Sequence, residues 1–293
     1  MTSPKTATAE TLALTSADGT RLHASLFEAE RPLAGLLLVH GMQSHAGWYE
    51  ASGTADALAR AGVTCLAYDR RGSGRSGGRP GDTTRPGDML ADLAATRDAL
   101  RRSLDEAGAP DAPLHALANC FGTRIVLPYL DSDPDAFRSV ILTAPATHMS
   151  RCADYRLGKR LAILLSPRGR YFPTPLRDEY FISADPWLEW IRNDAHSLRR
   201  VTAGFLRSAG VLTVRTKAAA RRLTVPVLVI LGSRDVMVRN TAIRSGFVAR
   251  YPGPIEVVEY DAEHYVDFTE HQVALAGMVE EWVLAHSSAG PAG

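Results

Sequence analysis

Hydrophobic and polar positions along the chain follow two rhythms that take turns. From Thr11 to Phe27 apolar and polar residues alternate around Asp18-Gly19, which predicts a β-hairpin with one face toward water. Beyond it the alternation gives way to short, continuous apolar runs. These are Gly35 to Val39, Thr64 to Tyr68, Leu114 to Ala118, Val140 to Thr143, Val225 to Leu231 and Ile255 to Tyr260. Runs of this length and β-branched content predict strands buried on both faces. Between them Tyr49 to Ala61, Met89 to Glu106, Phe121 to Leu130, Thr241 to Arg250 and Val273 to His286 carry helical patterns. Strand and helix alternate, so the expected architecture is α/β, a mostly parallel central sheet flanked by helices.

One interval breaks the rhythm. Between Thr147 and Thr224 the clearest apolar run, Leu161 to Leu165, suits a helix, while Pro167, Pro173, Pro175 and Pro186 punctuate short pieces. This predicts a helical lid over 147–224, inserted into a core domain made of 1–146 and 225–293. The tail Ser287 to Gly293 is small and polar, the composition of a disordered end.

Composition narrows the partners. Lys and Arg number 33 against 32 Asp and Glu, so no basic surface recommends a nucleic-acid role. Met1 to Glu10 lacks a secretory pattern, and no stretch reaches the ~18 consecutive apolar residues of a membrane span. The expectation is a cytoplasmic protein without stable membrane association. Its three cysteines are too few and too scattered for a disulfide framework or a metal cluster, and no motif calls for a metal or organic cofactor. Cys65 reads as a buried strand residue and Cys152 as structural or incidental.

Cys120 reads differently. Leu117-Ala118-Asn119-Cys120-Phe121-Gly122 joins a predicted strand to a predicted helix, with small residues two places before and after the cysteine. A sharp strand-turn-helix elbow needs that smallness to lift a nucleophile clear of the sheet. Two further strand ends carry Leu231-Gly-Ser-Arg-Asp235 and Tyr260-Asp-Ala-Glu-His264. Nucleophile, acid and histidine thus appear in the order Cys120, Asp235, His264. His264 would take the thiol proton and Asp235 would orient the imidazole, with Asp261 and Glu263 as rivals for that second task. Val39-His40-Gly41-Met42-Gln43 ends the first buried strand, and backbone N–H groups of Met42 and Phe121 would form an oxyanion hole. Gly41, His45, Arg124 and Trp187 are candidate substrate contacts; for His40, His45 and His148 packing or exposure is the competing account, for Arg124 a surface ion pair. Trp187, Trp190 and Phe181 either roof an acyl pocket or form the lid's own core.

Together with Asp69-Arg-Arg-Gly-Ser-Gly-Arg-Ser76, these motifs resemble the lysophospholipase and monoacylglycerol-lipase branch of the α/β-hydrolases, over roughly Asp18 to His286. The resemblance implies the α/β-hydrolase fold, serine-type hydrolysis of esters, and a loop-shaping role for the Asp69 motif. The chain departs from the pattern at Ala118, where a glycine is usual, and at Cys120, where serine is.

The sulfur changes the expected chemistry. A cysteine enzyme forms a thioester, and taking the acyl group from another thioester is nearly thermoneutral. The leading expectation is acyl transfer through S-acyl Cys120, from a carrier-protein or coenzyme-A thioester to water, an amine, a thiol or an internal nucleophile. Cysteine-bearing relatives that shuttle, release or cyclise acyl groups in natural-product assembly resemble this arrangement. The alternatives are a carboxylic-ester or lactone hydrolase and a non-catalytic ligand-binding protein on the same fold.

Overall fold

A computed structural model describes residues 9–83, 85–150, 152 and 154–287. Residues 1–8 and 288–293, which carry most of the first ten residues and of the small polar tail, lie outside it.

The predicted hairpin is β1 (Glu10–Thr15) against β2 (Arg21–Phe27), paired antiparallel with Thr15 opposite Arg21. The continuous apolar runs become β3 (Ala34–Val39), β4 (Val63–Tyr68), β5 (Leu114–Asn119) and β6 (Val140–Thr143), with every residue buried. All six residues of β9 (Val227–Gly232) are buried as well, whereas β10 (Ile255–Tyr260) is half-exposed at the edge. One eight-stranded sheet runs β1-β2-β4-β3-β5-β6-β9-β10. Its strands are parallel from β4 to β10 and antiparallel only at the hairpin end. Covered on both faces, the central strands have no polar stripe to show, hence their unbroken apolar sequence.

Helices α3 (Pro86–Glu106) and α4 (Thr123–Ser132) cover one face with the large core cluster of Leu37, Leu66, Leu93, Leu100 and Ile125. On the other face lie α1 (Gly47–Ser52), α2 (Thr54–Arg60) and α9 (Gln272–Ala285), packed around Leu36, Leu38, Leu58, Leu275 and Val279. The single helix expected over Tyr49 to Ala61 is thus two, because Gly53 takes a left-handed φ of 75° that ends one and starts the next. The helix expected over Thr241 to Arg250 likewise divides into α8 (Asn240–Gly246) and a 3₁₀ turn at Val248–Arg250.

Between β6 and β9 lie α5 (Leu157–Leu165), β7 (Tyr171–Pro173), α6 (Trp187–Asn193), β8 (Arg200–Thr202) and α7 (Ala203–Ala219). This stretch is not wholly helical, since β7 and β8 pair antiparallel. Nor does it all stand apart from the sheet. Phe205, Ala209, Leu212 and Ala219 of α7 belong to the main core, and the Phe205 and Phe121 rings stack at 5.4 Å. A parallel β6-to-β9 connection needs a crossover helix, and α7 supplies it. Of the expected lid 147–224, α7 thus packs into the main core while its Leu206 and Arg207 also line the cavity at Cys120.

Candidate active site

The elbow at Cys120 is built by steric exclusion. Cys120 has a φ of 45°, a conformation unfavourable to a residue with a side chain. Neighbours hold it there: the Ala146 N–H donates to the Cys120 carbonyl at 3.2 Å, and Asn119 Nδ2 donates to Thr143 Oγ1 at 3.0 Å. A Cβ on Gly122 would stand 2.4 Å from the Val39 carbonyl oxygen, so only glycine lets the helix start this close to β3. Ala118, the departure from the usual glycine, is fully buried within β5 without disturbing the turn.

His264 follows β10 and is buried. Its Nδ1 lies 2.7 Å from Asp235 Oδ2, and both side chains are fully shielded from solvent. Asp235 is itself fixed, its Oδ1 accepting from the Met237 and Val238 N–H groups at 2.7 and 3.2 Å. The rivals are engaged elsewhere: Asp261 faces Arg234, and Glu263 Oε2 accepts from the Ser183 N–H. With Nδ1 committed to Asp235, the buried Nε2 has no hydrogen-bond partner among the described residues. Burial alone would push the His264 imidazolium pKa down; Asp235 and then Cys120 outweigh it and raise it to about 10. The imidazolium form of His264 is thus favoured where it stands. The Phe181 ring meets the His264 imidazole edge-on at 5.7 Å and closes it off from above.

Met42 and Phe121 line the same cavity as Cys120, which has a volume of about 430 Å³. Met42 lies in a loop, and its N–H has no protein acceptor among the described residues. The Phe121 N–H sits in the first turn of a 3₁₀ helix, where donors lack intrahelical partners. Their N–H groups are therefore the candidate oxyanion donors at the cavity that Cys120 lines. A larger, open depression of about 920 Å³ passes Pro113, Leu114 and Pro226 at the opposite ends of the strands and holds none of these residues.

The four predicted substrate contacts separate. Arg124 lines the cavity. Gly41 does not: its N–H donates to Ser44 Oγ at 3.0 Å, and a Cβ there would come within 2.9 Å of Asn119 Oδ1, so its role is to let the loop approach the elbow. His45 is turned away, with Nε2 2.9 Å from Asp194 Oδ2 and Nδ1 accepting from the Gly47 N–H. It pins the segment over the site to the sheet domain. Trp187 stacks on Phe268 at 4.3 Å in a cluster where Phe181 and Ile191 of the covering segment meet Trp48, Tyr265 and Phe268 of the sheet domain, so the aromatics dock the segment onto that domain. His40 is likewise structural, accepting from the Arg70 N–H at Nε2.

Sequence reasoning passed over Arg70. It is 1 % exposed, and its Nη2 donates to the carbonyls of Gly41 and Met42 at 2.7 and 3.1 Å. Its guanidinium also lies 5.1 Å from the centre of the Phe121 ring. Asp69 and Ser76 of the same motif bind backbone groups at Ala46, Arg75 and His23, while Arg71 forks onto Asp92. The motif thus ties the hairpin to the oxyanion loop and contributes no reacting group.

A strained nucleophile elbow before a helix, a histidine and a carboxylate after later strands, and a parallel sheet with crossover helices define an α/β-hydrolase. A family model described as "Serine aminopeptidase, S33" matches residues 30–262, and the chain belongs to that family, in its lysophospholipase and monoacylglycerol-lipase-like branch. It is 25% identical over 260 residues to a monoacylglycerol lipase of Mycolicibacterium smegmatis, covering 87% of this chain and 89% of the relative. Among solved structures, a monoacylglycerol lipase of Paleococcus ferrophilus superimposes with a TM-score of 0.77 at 20% identity, over 91% of this chain and 99% of that one. A soluble variant of monoglyceride lipase from Saccharomyces cerevisiae, in complex with a substrate analog, gives 0.78 at 17% identity, over 98% and 97%.

Proposed function

We propose that this protein is an acyl-transferring hydrolase that cleaves carboxylic esters through an S-acyl intermediate on Cys120. The observation that carries the reading is the positive-φ elbow, which sets Cys120 in one cavity with Met42 and Phe121 and within electrostatic reach of the buried His264–Asp235 pair. The monoacylglycerol lipases among its relatives favour an ester as substrate over the thioester that the sulfur alone suggested.

The steps follow from the geometry. The thiolate attacks the ester carbonyl carbon, the C–S bond forms, and the carbonyl electrons move onto an oxygen that the Met42 and Phe121 N–H groups receive. Each such donor contributes about 3–4 kcal/mol to the transition state. The C–O bond then breaks, and His264 delivers its proton from Nε2 to the leaving alkoxide. Water attacks the thioester, gives a proton to Nε2, and the C–S bond breaks to restore the sulfur and release the acid.

A second reading keeps the same intermediate and changes the donor. Cys120 stands where the family implies serine, and exchange between thioesters is nearly thermoneutral, so a coenzyme-A or carrier-protein thioester fits the sulfur better than an ester does. The acceptor would then be water, an amine, a thiol or an internal nucleophile. Intact-mass measurement after incubation with phenyl esters, a monoacylglycerol and acyl N-acetylcysteamine thioesters separates these. An adduct lost in Cys120→Ala, with free acid released from esters, supports the first reading. Acylation by thioesters alone supports the second. No adduct and no turnover would leave a ligand-binding protein on this fold.

A further inference from the structure

The cavity beside Cys120 is apolar along much of its wall, with Met149, Ile163, Leu176 and Leu206, yet its charged residues are three arginines and one aspartate, Arg124, Arg160, Arg207 and Asp154. Two of the arginines are already occupied. Arg160 forms an ion pair with Asp154, and Arg207 donates to the carbonyls of Ile163 and Ser166. Arg124 is not. Only its Nε is used, donating to the Ala146 carbonyl at 2.9 Å, and no carboxylate among the described residues lies within ion-pair distance of its fork. Burial lowers its pKa, offset in part by Cys120 and Asp154. Half-buried on the cavity wall with no carboxylate partner among the described residues, the guanidinium keeps its fork available to an anion that enters the cavity.

Its position says what that anion is attached to. Arg124 follows Cys120 by four residues, in the first turn of α4, and both line the cavity. Its guanidinium lies 5.8 Å from the centre of the Phe121 ring, beside the oxyanion donors. The phosphate of a pantetheine arm is separated from the thioester sulfur by the whole arm, too far for a cation one turn from the nucleophile. The matching anion must sit on the acyl group itself. A planar fork with two free nitrogens suits a carboxylate, which it can hold through paired hydrogen bonds.

We propose that Arg124 anchors a carboxylate on the acyl chain, so that the preferred substrates are half-esters or half-thioesters of dicarboxylic acids. The inference rests on the acyl-enzyme reading above for its chemistry and on the cavity alone for its binding. Anchoring of this kind fixes the distance between the free carboxylate and the scissile carbonyl, so one chain length is favoured over its neighbours.

Two measurements test it. The first compares glutaryl, adipyl and suberyl phenyl esters and N-acetylcysteamine thioesters with their methyl-capped forms. Wild type is expected to favour one free acid over its capped form by about tenfold or more in kcat/KM. Arg124→Met should lower kcat/KM for the free acid well beyond its effect on the capped form, mainly through KM, and Arg124→Lys should restore part of the preference. Equal losses on capped and free substrates, or no preference in wild type, would overturn the proposal. The second measurement is calorimetric binding of monomethyl and dimethyl adipate, and their shorter and longer homologues, to Cys120→Ala, which needs no turnover. Tighter binding of a monoacid, lost in Cys120→Ala/Arg124→Met, supports the anchor even if no ester is cleaved; equal affinities refute it even if Cys120 is acylated.

Discussion

The Arg70 guanidinium donates to the Met42 carbonyl at 3.1 Å, so a buried cation grips the loop that lines the cavity beside Cys120. Among the described residues the Nε and Nη1 of Arg70 have no hydrogen-bond partner, which makes it a costly residue held for its grip on Gly41 and Met42. Arg70→Met should lower kcat about 10- to 100-fold with little change in KM, because a small displacement of the oxyanion donors weakens the transition state more than the ground state. A KM defect with unchanged kcat, in a folded variant, would contradict this.

Cys120 and His264 are expected to act as a unit. Cys120→Ala and His264→Ala should each reduce acyl transfer by about 10³-fold or more, and the double variant should be no slower than the worse single one. Multiplying defects would mean that the two side chains act independently.

The raised pKa of His264 has a consequence for stability. Its folded value is about 10, well above the ~6.5 of an unfolded histidine. The stabilisation from binding that extra proton is complete below about pH 6.5 and is lost as pH rises through the folded value. Asp235→Asn removes the largest partner raising it. The melting-temperature deficit of Asp235→Asn should therefore be greatest near pH 6 and narrow toward pH 10. A deficit constant across that range would show that Asp235 acts without regard to the histidine's charge.

Asp194 gathers donors from both sides of the site, accepting from His45 Nε2, Trp48 Nε1 and Ser197 Oγ at 2.9, 3.0 and 2.7 Å. Burial would raise its carboxyl pKa, but His45 and the other donors hold it well below the usual carboxylate range. Asp194→Ala leaves buried donors unsatisfied and should cost about 2–4 kcal/mol, read by denaturant unfolding. The contribution is present above the unfolded carboxyl pKa near 4 and fades as pH falls below it, so wild type and variant should converge in acid.

Gly122 and Gly277 make a matched pair. Alanine at 122 would push a Cβ into the Val39 carbonyl and should destabilise by about 1–3 kcal/mol, with activity lost along with the elbow. At 277, inside α9, a Cβ meets nothing within 4 Å, and alanine should stabilise by up to about 1 kcal/mol through helix propensity. Thermal melts of the two variants moving the same way would refute the steric account.

Much of this was legible in the sequence, for physical reasons. Strands such as Leu36 to Val39 are buried on both faces, so their apolar runs are unbroken and hard to mistake. The triad sits at strand ends, where chain order and spacing survive in one dimension. The misplacements are residues whose partners lie far along the chain. His45 meets Asp194, 149 positions on, and nothing near either one announces the pairing. Trp187 finds Phe268 in the same way. Arg70, next to another arginine in a glycine-rich loop, looks like a solvated charge until Phe121 and Phe205 are seen to enclose it. The core helix α7 escaped because its buried face is built partly from Gly204, Ser208, Ala209 and Thr216, a face too weakly apolar to stand out from a covering segment.

That helix also bears on how the molecule comes apart. β8 ends at Thr202, whose Oγ1 accepts from the Phe205 N–H, and α7 begins at the next residue, so the segment above the site and the layer below the sheet share one rigid stretch of backbone. Loosening of one is therefore felt by the other through that cap and the shared backbone. The chain should accordingly unfold in a single cooperative step, and loosening the cover by mutation should appear as a lower midpoint and not as a second transition.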